Sequence, residues 1–185
     1  IGATENGLPT TLGRNGSDYT AALVGAALKA EEIQIWTDVD GVMSADPKRV
    51  PGAFVLPRVS YAEALEMAYF GAKVVHPKTM TPAMARGIPI LIKNTLRPEA
   101  HGTEISRKTD ISGRTVKTVT VIENLALMSL EGNGMMGVPG MASRLFGALA
   151  RSDVNVVMIS QASSEHSICF VIQKESVASA KKAIA

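Results

Sequence analysis

The 185-residue chain has little of several features that define particular protein classes. Its single cysteine, Cys169, cannot form an internal disulfide, which fits a reducing compartment and excludes a disulfide-stapled miniprotein. Aromatic residues make up only 4%, and no apolar run approaches the roughly 18 residues that a membrane helix requires. Glu5, Asn6 and Pro9 interrupt any apolar core of a signal peptide. We therefore expect a cytoplasmic protein without a membrane partner.

The chain also lacks a large excess of charge of either sign. Lys and Arg total 19 against 17 for Asp and Glu, so the net charge of +2 gives no argument for a nucleic-acid partner, for which a basic face is expected. The 46% share of hydrophobic residues is that of an ordinary globular protein, and the length suits one large or two small domains. The first residue is not Met, so we expect a piece of a longer protein.

The first part of the chain alternates strand-like and helix-like segments, as in an α/β fold. Ser60 and Glu63 form a capping box that predicts a helix start. Residues 97–114 are polar with little apolar periodicity, so we interpret them as a connection and place the domain boundary at 115/116. The predicted helices are 18–29, 61–70 and 79–86, and the predicted strands are 33–36, 74–75 and 90–92.

Beyond the boundary the pattern restarts in the order βαββα. The predicted strands are 125–130, 154–159 and 167–172, and the predicted helices are 141–151 and 176–185. About seven residues join the last two strands, which is too few for a helical crossover, so these strands must be antiparallel. We expect a final strand to be missing from the end.

The turn before the first helix is a candidate anion site. Gly13 and Gly16 allow backbone N–H groups to approach a ligand, and a helix N-terminus favours negative charge. Arg14 between them can clamp a carboxylate or phosphate. The alternative is a tight turn in which Ser17 is the N-cap and Asp18 complements the helix dipole. A Walker loop is excluded, because Gly-Lys-Ser/Thr does not occur.

A second candidate site follows the strand at 33–36. Thr37 and Asp38 lie where ligands gather in α/β sheets, beyond a strand's carboxyl end. A calcium loop is excluded, because Gly41 is at position four from Asp38 and no Glu stands at position twelve. The alternative is a polar turn at Asp40-Gly41.

Two further patterns carry weaker signals. Lys73 after a predicted helix end either reaches a phosphate or complements the helix dipole. The three histidines are scattered, so neither metal-ligand spacing nor a Ser/His/Asp order emerges. Residues 132–137 fit G-x-G-x-x-G, but a nicotinamide-dependent dehydrogenase is disfavoured, because the next strand ends at Gln161 where an acid is required.

Four motifs together resemble the aspartate kinases. They are residues 11–20, 36–42, 70–77 and 92–95. The βαββα part is similar to the ACT regulatory domain that follows the kinase domain in that family. Asn15 and residues 159–167 are most similar to the threonine-sensitive type, often fused to homoserine dehydrogenase. The implied fold is the C-terminal half of an amino-acid-kinase three-layer αβα domain, residues 1–115, followed by a ferredoxin-like βαββα ACT domain, residues 116–185.

The resemblance implies transfer of the ATP γ-phosphoryl group to the β-carboxylate of L-aspartate, with Mg²⁺, mainly by positioning and charge neutralisation. By matching position, Asp18 is the catalytic residue that orients the catalytic lysine or the magnesium–phosphate group. The residues implied for aspartate binding are Arg14, Asn15, Gly16 and Ser17. Those implied for ATP binding are Thr37, Asp38, Met43, Lys48, Lys73 and Val74.

Two of these positions depart from the family pattern. Met43 stands where the family usually has Tyr, and Lys48 stands where it usually has Arg. A lysine keeps the charge but loses the planar fork of the guanidinium group. A Lys48 side chain could therefore attract a phosphate by charge but could not bind it in two-pronged fashion, as the arginine of the family pattern can.

The ACT resemblance implies an amino-acid effector, threonine with lysine as the alternative, and a homodimer or larger assembly through ACT domains. Gly137, Ile159 and Gln161 would bind the effector, since a side-chain amide can donate to a carboxylate or hydroxyl. Otherwise Gln161 is an exposed turn residue.

The family's N-terminal Lys-Phe-Gly-Gly and an aspartate-contacting Glu are absent. We therefore expect the chain alone to be inactive, and the alternative function is a non-catalytic amino-acid-binding or dimerisation module.

Overall fold

The computed structural model describes residues 2–13, 15–72, 75–108, 116–135, 137–161 and 167–184. Two compact units divide the chain, Ile1–Val121 (unit 1) and Ile122–Ala185 (unit 2). Within the described ranges, each helix is too short or too polar to cross a membrane.

Unit 1 is built from six strands and three helices within its described part. In chain order these are β1 (Gly2–Ala3), β2 (Pro9–Thr10), α1 (Gly16–Leu28), β3 (Ile33–Thr37), β4 (Arg58–Ser60), α2 (Tyr61–Tyr69), α3 (Pro77–Arg86), β5 (Ile90–Asn94) and β6 (Thr103–Ser106). The first two strands pair with each other, and the other four form one sheet in the order β3-β5-β6-β4.

The four-stranded sheet is mixed, and its centre is apolar. Strands β3 and β5 run parallel, with Ile33 opposite Ile90 and Thr37 opposite Asn94. Strand β6 runs antiparallel to β5 and parallel to β4. Alternate residues of β3 and β5 are buried, because successive side chains of a strand point to opposite faces. The buried isoleucines of these strands join the core of unit 1.

Strand β6 corrects the sequence-based interpretation of residues 97–114 as a connection. The segment contains four residues that pair with two neighbouring strands. Apolar periodicity could not indicate this strand, because two of its buried residues, Thr103 and Ser106, carry hydroxyl groups. Strand β4 was missed because it is only three residues long.

The helix starts of unit 1 follow local signals. Ser60 caps α2: its side chain accepts from the Glu63 N–H, and the Glu63 carboxylate accepts from the Ser60 N–H, which confirms the capping box. Helix α3 begins at Pro77, two residues before the predicted start, and the His76 side chain accepts from the Lys78 N–H. The predicted strand at 74–75 is wrong at Val75, which lies in a buried bend before this helix.

Unit 2 has the predicted order βαββα. It comprises β7 (Leu125–Glu131), α4 (Met141–Arg151), β8 (Val156–Gln161), β9 (Ser167–Gln173) and α5 (Val177–Ile184). The sheet order is β7-β9-β8, and β8 and β9 are antiparallel, as their short connection predicted. The helices cover one face of the sheet, where Leu145 and Leu149 of α4 pack in one core with Phe170 and Ala180.

Candidate functional site

Thr37 and Asp38 lie at the carboxyl edge of the unit 1 sheet. Thr37 ends β3 opposite Asn94 of β5, and the Thr95 N–H donates to the Thr37 carbonyl at 2.8 Å. The Thr37 hydroxyl lies 3.2 Å from a carboxylate oxygen of the exposed Asp38. Two parallel strands thus end side by side and present polar groups where α/β sheets bind ligands.

Asp40, which sequence analysis treated only as part of a turn, is held by two side chains from the neighbouring strand and its extension. The Asn94 amide donates to one carboxylate oxygen at 2.6 Å, and the Arg97 guanidinium donates to the other. The Asn94 carbonyl oxygen in turn accepts from the Leu96 N–H at 2.8 Å. This cluster depends on the pairing of β3 with β5, and no local sequence pattern indicates that pairing.

Thr103 of β6 holds the chain just after Asp40. Its side chain is fully buried, and its hydroxyl accepts from the Val42 N–H at 2.8 Å and donates to the Leu56 carbonyl at 2.6 Å. Gly41 has φ +141°, and a Cβ on it would lie 2.4 Å from the Thr103 hydroxyl. Only glycine fits this position without displacement of the backbone.

Met43 and Lys48 lie further along the same loop. Met43 bridges to Val55 in an antiparallel pair, which the Ser44 N–H extends by donating to the Phe54 carbonyl. The Lys48 N–H donates to the Asp46 carboxylate at 2.9 Å, so Asp46 and the following proline form a tight turn. The Lys48 residue is exposed, and Met43 is half-buried. We call residues 37–48 the strand-end loop.

A short segment beyond the sheet crosses the strand-end loop. The Val119 N–H donates to the Ser44 carbonyl at 2.9 Å, and the Thr118 hydroxyl lies 3.4 Å from the Met43 carbonyl. The Lys117 ammonium lies 2.7 Å from a carboxylate oxygen of Glu63, the capping-box residue of α2. Residues 117–119 are therefore fixed to both the loop and a helix of unit 1.

Asn15, Gly16, Ser17 and Asp18 form one cluster at the start of α1. Asn15 has a left-handed backbone, and its amide lies 3.2 Å from one Asp18 carboxylate oxygen. The Ser17 hydroxyl lies 3.2 Å from the other oxygen. Asn15 is the N-cap, so the alternative with Ser17 as N-cap is wrong: Ser17 is already helical and contacts its neighbour.

Three of the residues implied for substrate and nucleotide binding, Arg14, Lys73 and Val74, lie outside the described residues. Gly13 and Asn15 flank the first of them, and both have positive φ. The described remainder forms two groups in unit 1, the start of α1 and the strand-end loop.

The residues implied for effector binding all lie on the surface of unit 2. Ile159 is 53% exposed and stands opposite Phe170, and Gln161 ends β8 opposite Ile168. Gly137 is exposed with φ +71° in the turn that precedes α4. The alternative for Gln161, a turn residue, is wrong for the backbone, because Gln161 belongs to the strand.

The amino acid kinase family profile matches residues 1–94, and an ACT domain profile matches residues 128–185. The chain is 50% identical to a chloroplastic bifunctional aspartokinase/homoserine dehydrogenase of Daucus carota, over all of the chain and 21% of that protein. It is 48% identical to the bifunctional aspartokinase/homoserine dehydrogenase of Haemophilus influenzae, over 96% of the chain and 22% of that protein. The chain thus spans about a fifth of the length of these relatives.

Two solved structures of E. coli aspartokinase III are also similar. One, in complex with aspartate and ADP, has a TM-score of 0.75, and the other, in complex with lysine and aspartate, has a TM-score of 0.68. Both are 38% identical, over 94% of this chain and 38% of theirs.

Proposed function

Because the chain belongs to the amino acid kinase family and carries an ACT domain, we propose that it is part of an aspartokinase. The reaction is transfer of the γ-phosphoryl group of ATP to the β-carboxylate of L-aspartate. The observation that carries the proposal is an identity near 50% with bifunctional aspartokinases that extends over both units.

The start of α1 supports a role in substrate binding. Asn15 and Ser17 each contact a different oxygen of the Asp18 carboxylate, so the orientation of that carboxylate is set before any ligand binds. Backbone N–H groups at the start of the helix favour a bound anion. We assign aspartate binding to Arg14, Asn15, Gly16 and Ser17, and we assign to Asp18 the orientation of the catalytic lysine or of the magnesium–phosphate group.

The strand-end loop supports a role in nucleotide binding. It follows a buried strand at the carboxyl edge of the sheet, where α/β proteins bind ligands. Thr37, Asp38, Met43 and Lys48 belong to it, and we assign to them, with Lys73 and Val74, the binding of ATP.

Mg²⁺ fits this assignment. In the part of the chain that the structure describes, no group of three or more His, Cys, Asp or Glu could hold a metal. Mg²⁺ in kinases is commonly bound by one or two carboxylates together with the substrate phosphates, so such a cluster is not required. Asp38, exposed at the end of β3, is the carboxylate we assign to it. When bound, Mg²⁺ neutralises charge on the phosphates, and the protein positions them.

The proposal is tested with the full-length protein that contains this chain. We expect phosphorylation of aspartate that depends on ATP and Mg²⁺. The acyl phosphate product is detected by trapping it with hydroxylamine. The isolated 185-residue chain, assayed in parallel, is expected to be inactive. Absence of activity in a folded full-length protein would refute the proposal, and activity in the isolated chain would refute the expected dependence on the rest of the protein.

We further propose that unit 2 binds an amino-acid effector, threonine or else lysine, through Gly137, Ile159 and Gln161. All three are exposed, so an effector can reach them. We expect Gln161→Ala to raise the effector concentration for half-inhibition of the full-length enzyme about tenfold, from the loss of hydrogen bonds to a charged ligand group. Turnover without effector should stay unchanged.

Gln173→Ala is the matched control, because it removes the same side chain from another strand of unit 2. Inhibition by threonine or lysine that is equally sensitive in both variants would remove Gln161 from the effector site. Analytical ultracentrifugation with and without effector tests the expected homodimer.

The second candidate function is that of a non-catalytic amino-acid-binding module in a cytoplasmic protein. It is favoured by the ACT domain profile over residues 128–185, which contains the three exposed residues assigned to the effector. Titration calorimetry of the full-length protein with threonine, lysine and ATP separates the candidates, since only nucleotide binding requires the strand-end loop. Binding of an amino acid without any binding of ATP to the full-length protein would favour the module.

A further inference from the structure

We propose that Asn94 is a positioning residue for nucleotide binding, acting through Asp40 on the strand-end loop. The inference rests on the proposed function, since it presumes that this loop binds ATP. Neither Asn94 nor Asp40 belongs to the residues assigned above to a substrate or to ATP.

Asn94 holds the strand-end loop through a hydrogen bond from the end of the neighbouring strand. It is 4% exposed at the end of β5, and its amide is 2.6 Å from Asp40 in the adjacent loop. Its carbonyl oxygen accepts from the Leu96 N–H, so the donor and the acceptor of the carboxamide both have partners. A buried amide bound at both ends has a fixed orientation, because rotation would leave polar atoms unpaired.

Asp40 is the loop's point of attachment. One carboxylate oxygen binds Asn94 on the strand, and the other binds Arg97 three residues further along the chain. Hydrogen bonds to a charged group are the strong ones, and two from different segments restrict the loop more than one does. Since Asp40 is two residues after Asp38, the backbone at Asp38 is restricted as well.

The same contacts matter for charge. An uncompensated carboxylate beside the phosphates of a nucleotide would repel them, and the repulsion grows as water is excluded. The Arg97 guanidinium offsets the charge of Asp40, and the Asn94 amide keeps the carboxylate turned toward β5. Loss of either contact should weaken nucleotide binding more than aspartate binding, because Asp18 and its neighbours lie on another element.

The test uses the full-length protein with four variants, measured for ATP and ADP affinity by calorimetry and for KM and kcat. Asn94→Leu removes both polar atoms at similar volume, and we expect the Kd for both nucleotides to rise about tenfold. The KM for aspartate and kcat should change less than twofold. Arg97→Gln should raise the nucleotide Kd about threefold, and Arg58→Gln, an arginine of similar exposure paired with Glu104, should not change it.

The exchange variant, Asp40→Asn combined with Asn94→Asp, decides between positioning and general destabilisation. It reverses the donor and acceptor of one hydrogen bond and keeps an acceptor for the Leu96 N–H. We expect it to restore nucleotide Kd to within threefold of wild type. If Asn94→Leu fails to fold, the Arg97→Gln and exchange variants carry the same test.

The outcomes separate the two proposals. A full-length protein that binds neither ATP nor ADP refutes the proposed function. If the wild-type protein binds ATP, and the Arg97→Gln and Asn94→Leu variants bind it as tightly as wild type does, only the positioning role is refuted. An exchange variant no tighter than Asn94→Leu, or a KM for aspartate raised as much as that for ATP, also overturns the role, since the defect would then not be specific to the loop.

Discussion

Two buried threonines of unit 1 allow the energy of a single hydroxyl to be measured in opposite settings. Thr103 is fully buried, and its hydroxyl binds one backbone N–H and one backbone carbonyl. Thr79 of α3 is 1% exposed, and its hydroxyl has no hydrogen-bond partner among the described residues. Threonine to valine is nearly isosteric, so the same substitution at both sites isolates the hydrogen bonds.

The two substitutions should have different effects on the free energy of unfolding. Thr103→Val leaves the Val42 N–H and the Leu56 carbonyl without this partner, and each buried unpaired group costs about 1–3 kcal/mol, so unit 1 should lose about 2–6 kcal/mol. Thr79→Val removes a buried hydroxyl that gains nothing from its burial, so it should be neutral or stabilise by up to about 1 kcal/mol.

Urea unfolding followed by tryptophan fluorescence provides the assay. The chain has one tryptophan, Trp36 on β3, so the signal reports on unit 1. Thr103→Ser serves as the control: it keeps the hydroxyl and loses a methyl group, so it should cost only about 1 kcal/mol. Equal changes in the unfolding free energy at the two threonines, or a larger loss for Thr103→Ser than for Thr103→Val, would refute the hydrogen-bond argument.

Two other perturbations follow from the same unit. Gly41→Ala should lower the urea midpoint clearly, because the new Cβ would lie 2.4 Å from the Thr103 hydroxyl at φ +141°; Gly52→Ala, whose Cβ would meet no atom within 4 Å, should leave it nearly unchanged, and similar shifts would contradict the steric argument. The hydrogen bond from the Ser106 hydroxyl and, to a smaller extent, the Arg58 guanidinium hold the pKa of Glu104 below its usual range. The charged Glu104 therefore stabilises the fold at any pH above its unfolded pKa of about 4.3, and this stabilisation is lost as the pH falls through the lower folded pKa. Glu104→Gln should therefore reduce the drop in stability between pH 7 and pH 3 in urea titrations, and an unchanged drop would show that another group is responsible.

The parts of the fold that the sequence predicted are those with a local signal. The capping box at Ser60 marked the start of α2, and the short connection before β9 required an antiparallel pair. Strand β6 has no such signal, because its buried Thr103 owes its place to a carbonyl 47 residues away. Burial of a polar residue depends on partners distant in sequence, and a local pattern does not contain them.

The candidate site shows the same division. Thr37 and Asp38 were predicted from their place after a strand, and the structure puts them at the sheet edge. Asp40 was interpreted as half of a turn, since its contact with Asn94 spans 54 residues and depends on which strands are neighbours. The contact of Val119 with the loop was missed for the same reason.

That last contact determines how the chain leaves unit 1. Residues 117–119 are bonded to the Met43–Ser44 backbone and to Glu63, and the boundary of unit 1 follows at Val121. Val119, whose N–H donates to the Ser44 carbonyl, is only two positions before Val121, the last residue of unit 1. The last residues of unit 1 are thus attached directly to the strand-end loop, the segment that also contains Asp38.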